Sequence, residues 1–159
     1  MSPTVPLHPD LGLLSSLIGE WEGEGRGMWE GPEAFRYREW VRFTHSGKPF
    51  LAYTQRTAAQ DDGRPLHAES GYWRAAADGA VELVIAHPIG VAEIAVGRWS
   101  GHQLTLRSTS LRTTPTAKQV TLLERDFELA GDALRYELHM STDAGPASWH
   151  LSGELRRTA

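Results

Sequence analysis

Histidine is the residue type with the widest chemical use in this sequence. Seven copies are spread along the chain, at His8, His45, His67, His87, His102, His139 and His150. Cysteine is absent, which excludes disulfides, thiolate metal sites and cysteine nucleophiles. No two histidines have the H-x-x-x-H spacing, which argues against a closed zinc site. Imidazole is therefore the one softer ligand present in quantity, and it could bind a metal or act as an acid or base. Each histidine taken alone could also be an ordinary surface residue or a hydrogen-bonded residue of the core.

Glycine recurs in the segment Gly19-Glu20-Trp21-Glu22-Gly23-Glu24-Gly25, where it weakens a strand by roughly 0.5 to 1 kcal/mol per site. A tightly bent barrel strand, with Trp21 filling the closed end, is the favoured explanation. The alternative is a backbone that closely approaches a flat ligand. A phosphate-binding loop is not expected, because the three glutamates would repel an anion.

The elements that must position these residues are mostly strands. From Trp21 onward the hydrophobic period is two, and turn signals such as Gly31-Pro32, Asp78-Gly79 and Gly131-Asp132 recur about every 8 to 12 residues. We predict ten strands, at 20–30, 34–46, 49–60, 64–76, 80–87, 90–99, 103–112, 116–130, 133–142 and 147–157. One short N-terminal helix precedes them, with a cap at Pro9-Asp10 and with Leu11, Leu14, Leu17 and Ile18 at helical spacing.

Ten sequential strands joined by short turns favour a closed, all-β, ten-stranded antiparallel up-and-down barrel, because closure removes the exposed edges. In the second strand Phe35, Tyr37, Val41 and Phe43 share one face, while arginines occupy the other. A barrel of this strand number is expected to enclose a cavity. A sandwich of two sheets is the alternative. We expect a single domain over residues 1–159.

Composition limits the classes of partner. The 159 residues have 16 basic and 20 acidic side chains, for a formal net charge of −4, which disfavours nucleic acid. No apolar run approaches the roughly 20 residues of a membrane span. We therefore expect a soluble cytoplasmic protein, monomeric or homodimeric, without membrane contact.

Five segments together resemble the nitrobindin family of haem-binding β-barrels, which are also described as fatty-acid-binding-protein-like. The resemblance runs from about Leu14 to Arg156. The matching segments are Gly19 to Gly25 in a G-x-W-x-G-x-G pattern, Gly47 to Leu51, Pro65 to Tyr72, Pro115 to Lys118, and His150-Leu151.

The resemblance implies one b-type haem per chain, with its ferric iron bound by the residue that matches His150. It implies that Leu66 and His67 line the opposite side of the haem, where Leu66 adds bulk and His67 donates a hydrogen bond to a small ligand. Lys118 matches a basic position that could pair with a haem propionate, although a lysine on a strand surface is the favoured interpretation.

Two features near His150 leave alternatives open. Strict alternation groups His150 with Ser152 and Glu154, away from the apolar Leu151 face. Either the pocket face is partly polar here, or a β-bulge between His150 and Leu151 turns the ring. The large ring of Trp149 would either wall the pocket or obstruct it.

The activity implied by the resemblance is isomerisation of peroxynitrite to nitrate at ferric haem, together with nitric oxide binding, so that the partners are small molecules. The alternative is a carrier of a small hydrophobic ligand such as a fatty acid. A carrier would use an internal arginine as a carboxylate clamp. The candidates for that clamp are Arg36, Arg38, Arg42, Arg56 and Arg107. A third class is an interaction module without a ligand.

Overall fold

The computed structural model describes residues 4–29 and 33–159, which form a closed antiparallel barrel of ten strands. Each strand pairs with its neighbours in sequence, and the first strand closes the ring on the last. The strands are β1 (Gly19–Met28), β2 (Ala34–His45), β3 (Phe50–Ala59), β4 (Pro65–Ala75), β5 (Ala80–His87), β6 (Val91–Ser100), β7 (Gln103–Thr113), β8 (Leu122–Ala130), β9 (Ala133–Ser141) and β10 (Ser148–Arg157).

The all-β barrel predicted from the turn signals is therefore confirmed, and the two-sheet alternative is wrong. The largest difference between the predicted and the observed strand bounds is at β8, which begins at Leu122 and not at residue 116. Before it, Thr114 donates its N–H to the Gly90 carbonyl at 2.8 Å, and Ala117 donates to the Thr114 carbonyl at 3.1 Å, so the chain turns here. The predicted turn at Gly31-Pro32 lies outside the described residues.

The N-terminal helix is a 3-10 helix, Pro9–Leu17, with a kink at Gly12, where φ is +54°. Leu11, Leu14 and Leu17 are buried. The spacing of three places Leu14 and Leu17, beyond the kink, on one face of a 3-10 helix, which has three residues per turn. The cap is His8, whose Nδ1 accepts the Asp10 N–H at 3.2 Å, and not Asp10 as predicted. A second 3-10 helix, Ala77–Gly79, joins β4 to β5. In the part of the chain that the structure describes, no helix is long and apolar enough to cross a bilayer.

The helix covers one end of the barrel and packs on an apolar core around Trp21. The Trp21 side chain is fully buried, and its Nε1–H donates to the Leu17 carbonyl at 2.8 Å. Trp73 and Phe43 pack edge to face in the same cluster. Trp21 therefore fills the closed end, as the favoured explanation of its segment predicts.

Two glycines make room for tyrosines inside the barrel. Gly25 of β1 pairs directly with Gly153 of β10. A Cβ on Gly25 would overlap the Tyr37 ring, and a Cβ on Gly153 would lie 2.6 Å from Tyr136 Cε1. The two tyrosine hydroxyls are 2.5 Å apart and share a hydrogen bond. Gly25 therefore accommodates one of the protein's own rings, and no flat ligand is needed to explain it.

We predict that Gly25→Ala lowers the free energy of unfolding by about 1 to 3 kcal/mol, the usual cost of overpacking a well-packed interior. Urea unfolding followed by far-UV circular dichroism measures it. In a Tyr37→Leu background the same substitution should cost less, because the ring that it overlaps is gone. An equal cost in both backgrounds would assign the penalty to the backbone of β1.

Candidate functional site

The barrel end opposite Trp21 is an open cavity of about 1230 Å³. A cavity was expected from the strand number. The four residues singled out in the sequence, Leu66, His67, Lys118 and His150, all line it. The apolar part of its wall includes Phe35, Val91, Val120, Leu123, Leu138, Met140 and Leu151.

His150 occupies a β-bulge in β10. Trp149 pairs with His139 and Leu151 pairs with Leu138, so His150 is the extra residue between two regular pairs. A bulge breaks the two-residue alternation. As a result His150 and Leu151 both line the cavity, although they are adjacent in sequence. Of the two alternatives left by the sequence, the structure has the bulge.

The ring of His150 is held in one orientation. Its Nδ1 lies 2.7 Å from the Met28 carbonyl oxygen, which can only accept, so Nδ1 carries the proton. Nε2 then carries no proton, and its lone pair is available. Burial lowers the pKa of His150, against the opposing hydrogen bond to Met28, which favours the neutral imidazole. The Trp29 ring packs against it with the ring centroids 5.3 Å apart. The arrangement is that of a histidine prepared to bind a metal through Nε2.

Trp149 neither walls nor obstructs the cavity, so both expectations for it are wrong. Its ring stacks under the exposed guanidinium of Arg26, 5.4 Å from the ring centroid, and its Nε1–H donates to Ser152 Oγ at 2.6 Å. The bulge at His150 explains why adjacent residues diverge in this way.

Leu66 and His67 lie on β4, across the barrel from His150. Between β10 and β4 the ring has β1, β2 and β3 on one side and β5 to β9 on the other. Leu66 is at the mouth and 38% exposed, whereas His67 is half-buried. The His67 backbone N–H donates to Thr57 Oγ1 at 3.0 Å, which fixes this edge of the wall.

Lys118 is exposed at the mouth, in the loop that precedes β8. Its ammonium nitrogen lies 5.0 Å from the centroid of the Trp29 ring, the same ring that packs on His150. The prediction of a strand surface for Lys118 is wrong, because β8 begins later than expected. A positive charge therefore stands at the rim, above the imidazole.

A buried ionic cluster below His67 was missed from the sequence. Arg125 donates from Nη1 to Glu69 Oε1 at 3.0 Å and from Nη2 to Glu93 Oε1 at 2.6 Å. His87 Nε2 lies 2.9 Å from the same Glu93 oxygen, and Tyr53 donates to Glu69 Oε1 at 2.7 Å. All of these side chains except His67 are buried.

Arg125 favours the ionised form of the carboxyl groups in this cluster. Burial alone would raise the pKa of Glu69 and Glu93, but the charge of Arg125 and the contacts with histidine outweigh burial, so both pKa values fall below the usual value. Glu39, which accepts from Tyr136 at 2.6 Å and from Gln55 at 2.7 Å, differs. Burial raises the pKa of Glu39 to about 7 in spite of those hydrogen bonds.

A sequence signal for this cluster does exist. Glu39 stands between Tyr37 and Val41, and Arg125 stands between Leu123 and Phe127, each at an inward-facing position of an alternating strand. Charged residues at such positions are rare unless they are paired inside. The sequence does not tell which strands bring the partners together.

The arginines considered as an internal carboxylate clamp all have exposed side chains, and of the five only Arg36 lines the cavity. The five are Arg36, Arg38, Arg42, Arg56 and Arg107. Within residues 4–29 and 33–159, the buried arginine is Arg125. Its guanidinium is already engaged by Glu69 and Glu93, so it has no free edge to hold a fatty-acid carboxylate.

Comparison with known proteins agrees with the barrel. Residues 10–157 match the family described as THAP4-like, heme-binding beta-barrel domain. Peroxynitrite isomerase 2 of Mycobacterium ulcerans (strain Agy99) is 48% identical over 155 residues, which cover 95% of this chain and 96% of the relative. Peroxynitrite isomerase of Nocardia farcinica (strain IFM 10152) is 45% identical over 159 residues, with 98% and 95% covered.

A solved structure extends the likeness to three dimensions. The crystal structure of Rv2717c from M. tuberculosis superposes with a TM-score of 0.88 at 44% identity, covering 97% of this chain and all of that one. The family match spans nearly the whole barrel, from the N-terminal 3-10 helix to β10. The chain therefore belongs to the THAP4-like family of haem-binding β-barrel domains, the nitrobindin family that its sequence resembles.

Proposed function

We propose that the cavity binds one b-type haem with ferric iron, and that His150 is the axial ligand. The observation that carries this proposal is the hydrogen bond from His150 Nδ1 to the Met28 carbonyl at 2.7 Å. It fixes the tautomer whose Nε2 lone pair is available, and the lowered pKa keeps that lone pair unprotonated. A neutral imidazole is a common axial ligand of haem iron.

The rest of the cavity fits such a group. The apolar cluster of Val91, Val120 and Leu123 supplies a surface for a macrocycle. Lys118 at the rim supplies a cation suited to a propionate. The inner wall on the far side is polar, with His67 half-buried.

We propose that the activity is isomerisation of peroxynitrite to nitrate, the reaction named for the relatives from M. ulcerans and N. farcinica, with nitric oxide as a second small ligand. When bound, ferric haem supplies a Lewis-acidic iron with one open coordination position. Leu66 would exclude water from the bound anion, and His67 would donate a hydrogen bond to it. The alternative, a fatty-acid carrier, has no buried clamp, because Arg125 is engaged by two carboxylates and Arg36, which lines the cavity, is exposed.

Hemin titration tests the ligand. We predict one hemin per chain with a five-coordinate ferric spectrum, and a loss of affinity of roughly 100-fold or more in His150→Ala, because removing the ligand itself should cost at least as much as removing its hydrogen-bond partner. His102→Ala, which removes an exposed histidine in the turn after β6, is the matched control and should bind like the wild type. Equal affinity in His150→Ala would reject His150 as the ligand.

A second prediction concerns His67, on the cavity wall opposite His150. His67→Ala should leave hemin affinity nearly unchanged and should alter the spectrum or the dissociation rate of bound nitric oxide, because a hydrogen-bond donor tunes the ligand and does not hold the cofactor. Absorption spectra and stopped-flow displacement measure both. Loss of hemin from this variant would instead assign His67 to the iron.

Activity is tested by stopped-flow peroxynitrite decay. Hemin-loaded protein should speed the decay, increase the yield of nitrate and protect free tyrosine from nitration, whereas protein without hemin should do none of these. Free hemin at the same concentration is the control for the contribution of the barrel wall. An unchanged nitrate yield at full hemin loading would reject isomerisation and leave hemin binding as the surviving function.

A further inference from the structure

Three ligand atoms converge inside the barrel, away from His150. They are His67 Nε2 and Glu69 Oε2 on β4, and His87 Nδ1 at the end of β5. We propose that they form a second metal site, which binds a divalent transition metal of the zinc type and leaves one coordination position open to the cavity. This site does not depend on the haem proposal, since His150 takes no part in it.

The distances fit a tetrahedral ion. The three atoms are separated by 3.3 Å (His67 to Glu69), 3.4 Å (His67 to His87) and 3.5 Å (Glu69 to His87). Ligands at the corners of a tetrahedron with bonds of roughly 2.0 to 2.1 Å are about 3.3 to 3.4 Å apart. Charge-assisted hydrogen bonds between such groups are usually shorter, at about 2.7 to 2.9 Å. The distances between the three ligand atoms are therefore long for direct hydrogen bonds, and they match the spacing of ligands around a tetrahedral ion.

The tautomers are compatible with an ion. His87 Nε2 lies 2.9 Å from Glu93 Oε1, which also accepts from Arg125 Nη2, so the tautomer that satisfies this contact carries its proton on Nε2 and leaves a lone pair on Nδ1. Glu69 Oε2 is likewise an acceptor, 3.5 Å from His87 Nδ1. Both atoms face His67 Nε2, at 3.3 Å from Glu69 and 3.4 Å from His87, so either a proton on that nitrogen or a cation bound to all three atoms joins them.

Neighbouring side chains hold the ligands as they would in a metal site. Glu93 orients His87 through the nitrogen that does not face the site, and carboxylate–histidine–metal arrangements use this same contact. Arg125 and Tyr53 both donate to Glu69 Oε1, which leaves Oε2 for the ion. Two of the three ligand atoms, those on His87 and Glu69, are therefore held in place by neighbouring side chains.

Charge and access agree with this assignment. The carboxyl groups of Glu69 and Glu93 both face the guanidinium of Arg125, so acidic side chains outnumber the arginine beside the candidate ligands. The His67 side chain is 29% exposed, whereas those of Glu69 and His87 are 5% and 6% exposed. All three residues line the cavity, so an ion can enter from the mouth and can take its fourth ligand from there. Zinc bound through His67 Nε2 leaves the proton on Nδ1, so the ring remains a hydrogen-bond donor.

The test is isothermal titration of the full chain with ZnCl₂ after haem has been extracted and free metal ions have been removed with a chelator. We expect one Zn²⁺ per chain, and an affinity at least tenfold lower in both His67→Ala and His87→Ala. Titration with Co²⁺ should give the intense visible absorption of a tetrahedral ion, which a solvent-exposed surface site does not give. Hemin-loaded protein should also bind one Zn²⁺, because the two metal sites use different residues.

His150→Ala and His102→Ala are the matched controls, and both should keep wild-type zinc affinity. The first should lose hemin and not zinc, so failure of the haem proposal and failure of the zinc proposal can be told apart. His67 is partly exposed, so His67→Ala is expected to disturb folding less than His87→Ala. Circular dichroism checks that each variant is folded. Absence of stoichiometric zinc binding, or zinc binding that survives His67→Ala, would overturn the site and leave a purely hydrogen-bonded cluster in its place.

Discussion

Closing ten strands into a single ring creates an interior wider than the chain's side chains can fill, and the rest of the structure depends on how that space is divided. At one end, the leucines of the N-terminal 3-10 helix and Trp21 fill it completely. In the middle, polar groups from β2, β3, β4, β5, β6, β8 and β9 bind one another. At the other end, apolar and polar side chains together line a cavity that stays open.

The middle layer is an unusual way to fill a barrel, because burying charge is costly unless each charge has a partner. Here Arg125 joins two carboxylates from different strands, and removing one partner of such a buried pair typically costs about 3 to 5 kcal/mol. The same bonds hold His87 and Glu69 in place below His67. The two walls of the cavity are therefore chemically different: one offers a single oriented imidazole, and the other offers a fixed set of polar atoms.

The strands and their order were predictable from the sequence because each turn carries a local signal, such as Asp78-Gly79 or Gly131-Asp132. The orientation of His150 was not, since a one-residue bulge reverses what alternation implies, and the sequence left two alternatives open. The meeting of His67 with His87 was also hidden. Twenty residues separate them, and only the pairing of β4 with β5 brings their rings together. The H-x-x-x-H argument against a metal site applies to neighbours along one element and says nothing of neighbours across a sheet.

The pairing of Gly25 with Gly153 has a consequence for the order of folding. It joins the first strand of the barrel to the last, and such distant contacts form slowly because a long loop must be closed first. The β4–β5 hairpin, with its histidines, needs only local pairing, whereas His150 arrives with the strand that completes the ring. A molecule held between the two walls therefore stabilises the closed ring over any form in which the β1–β10 pairing is open.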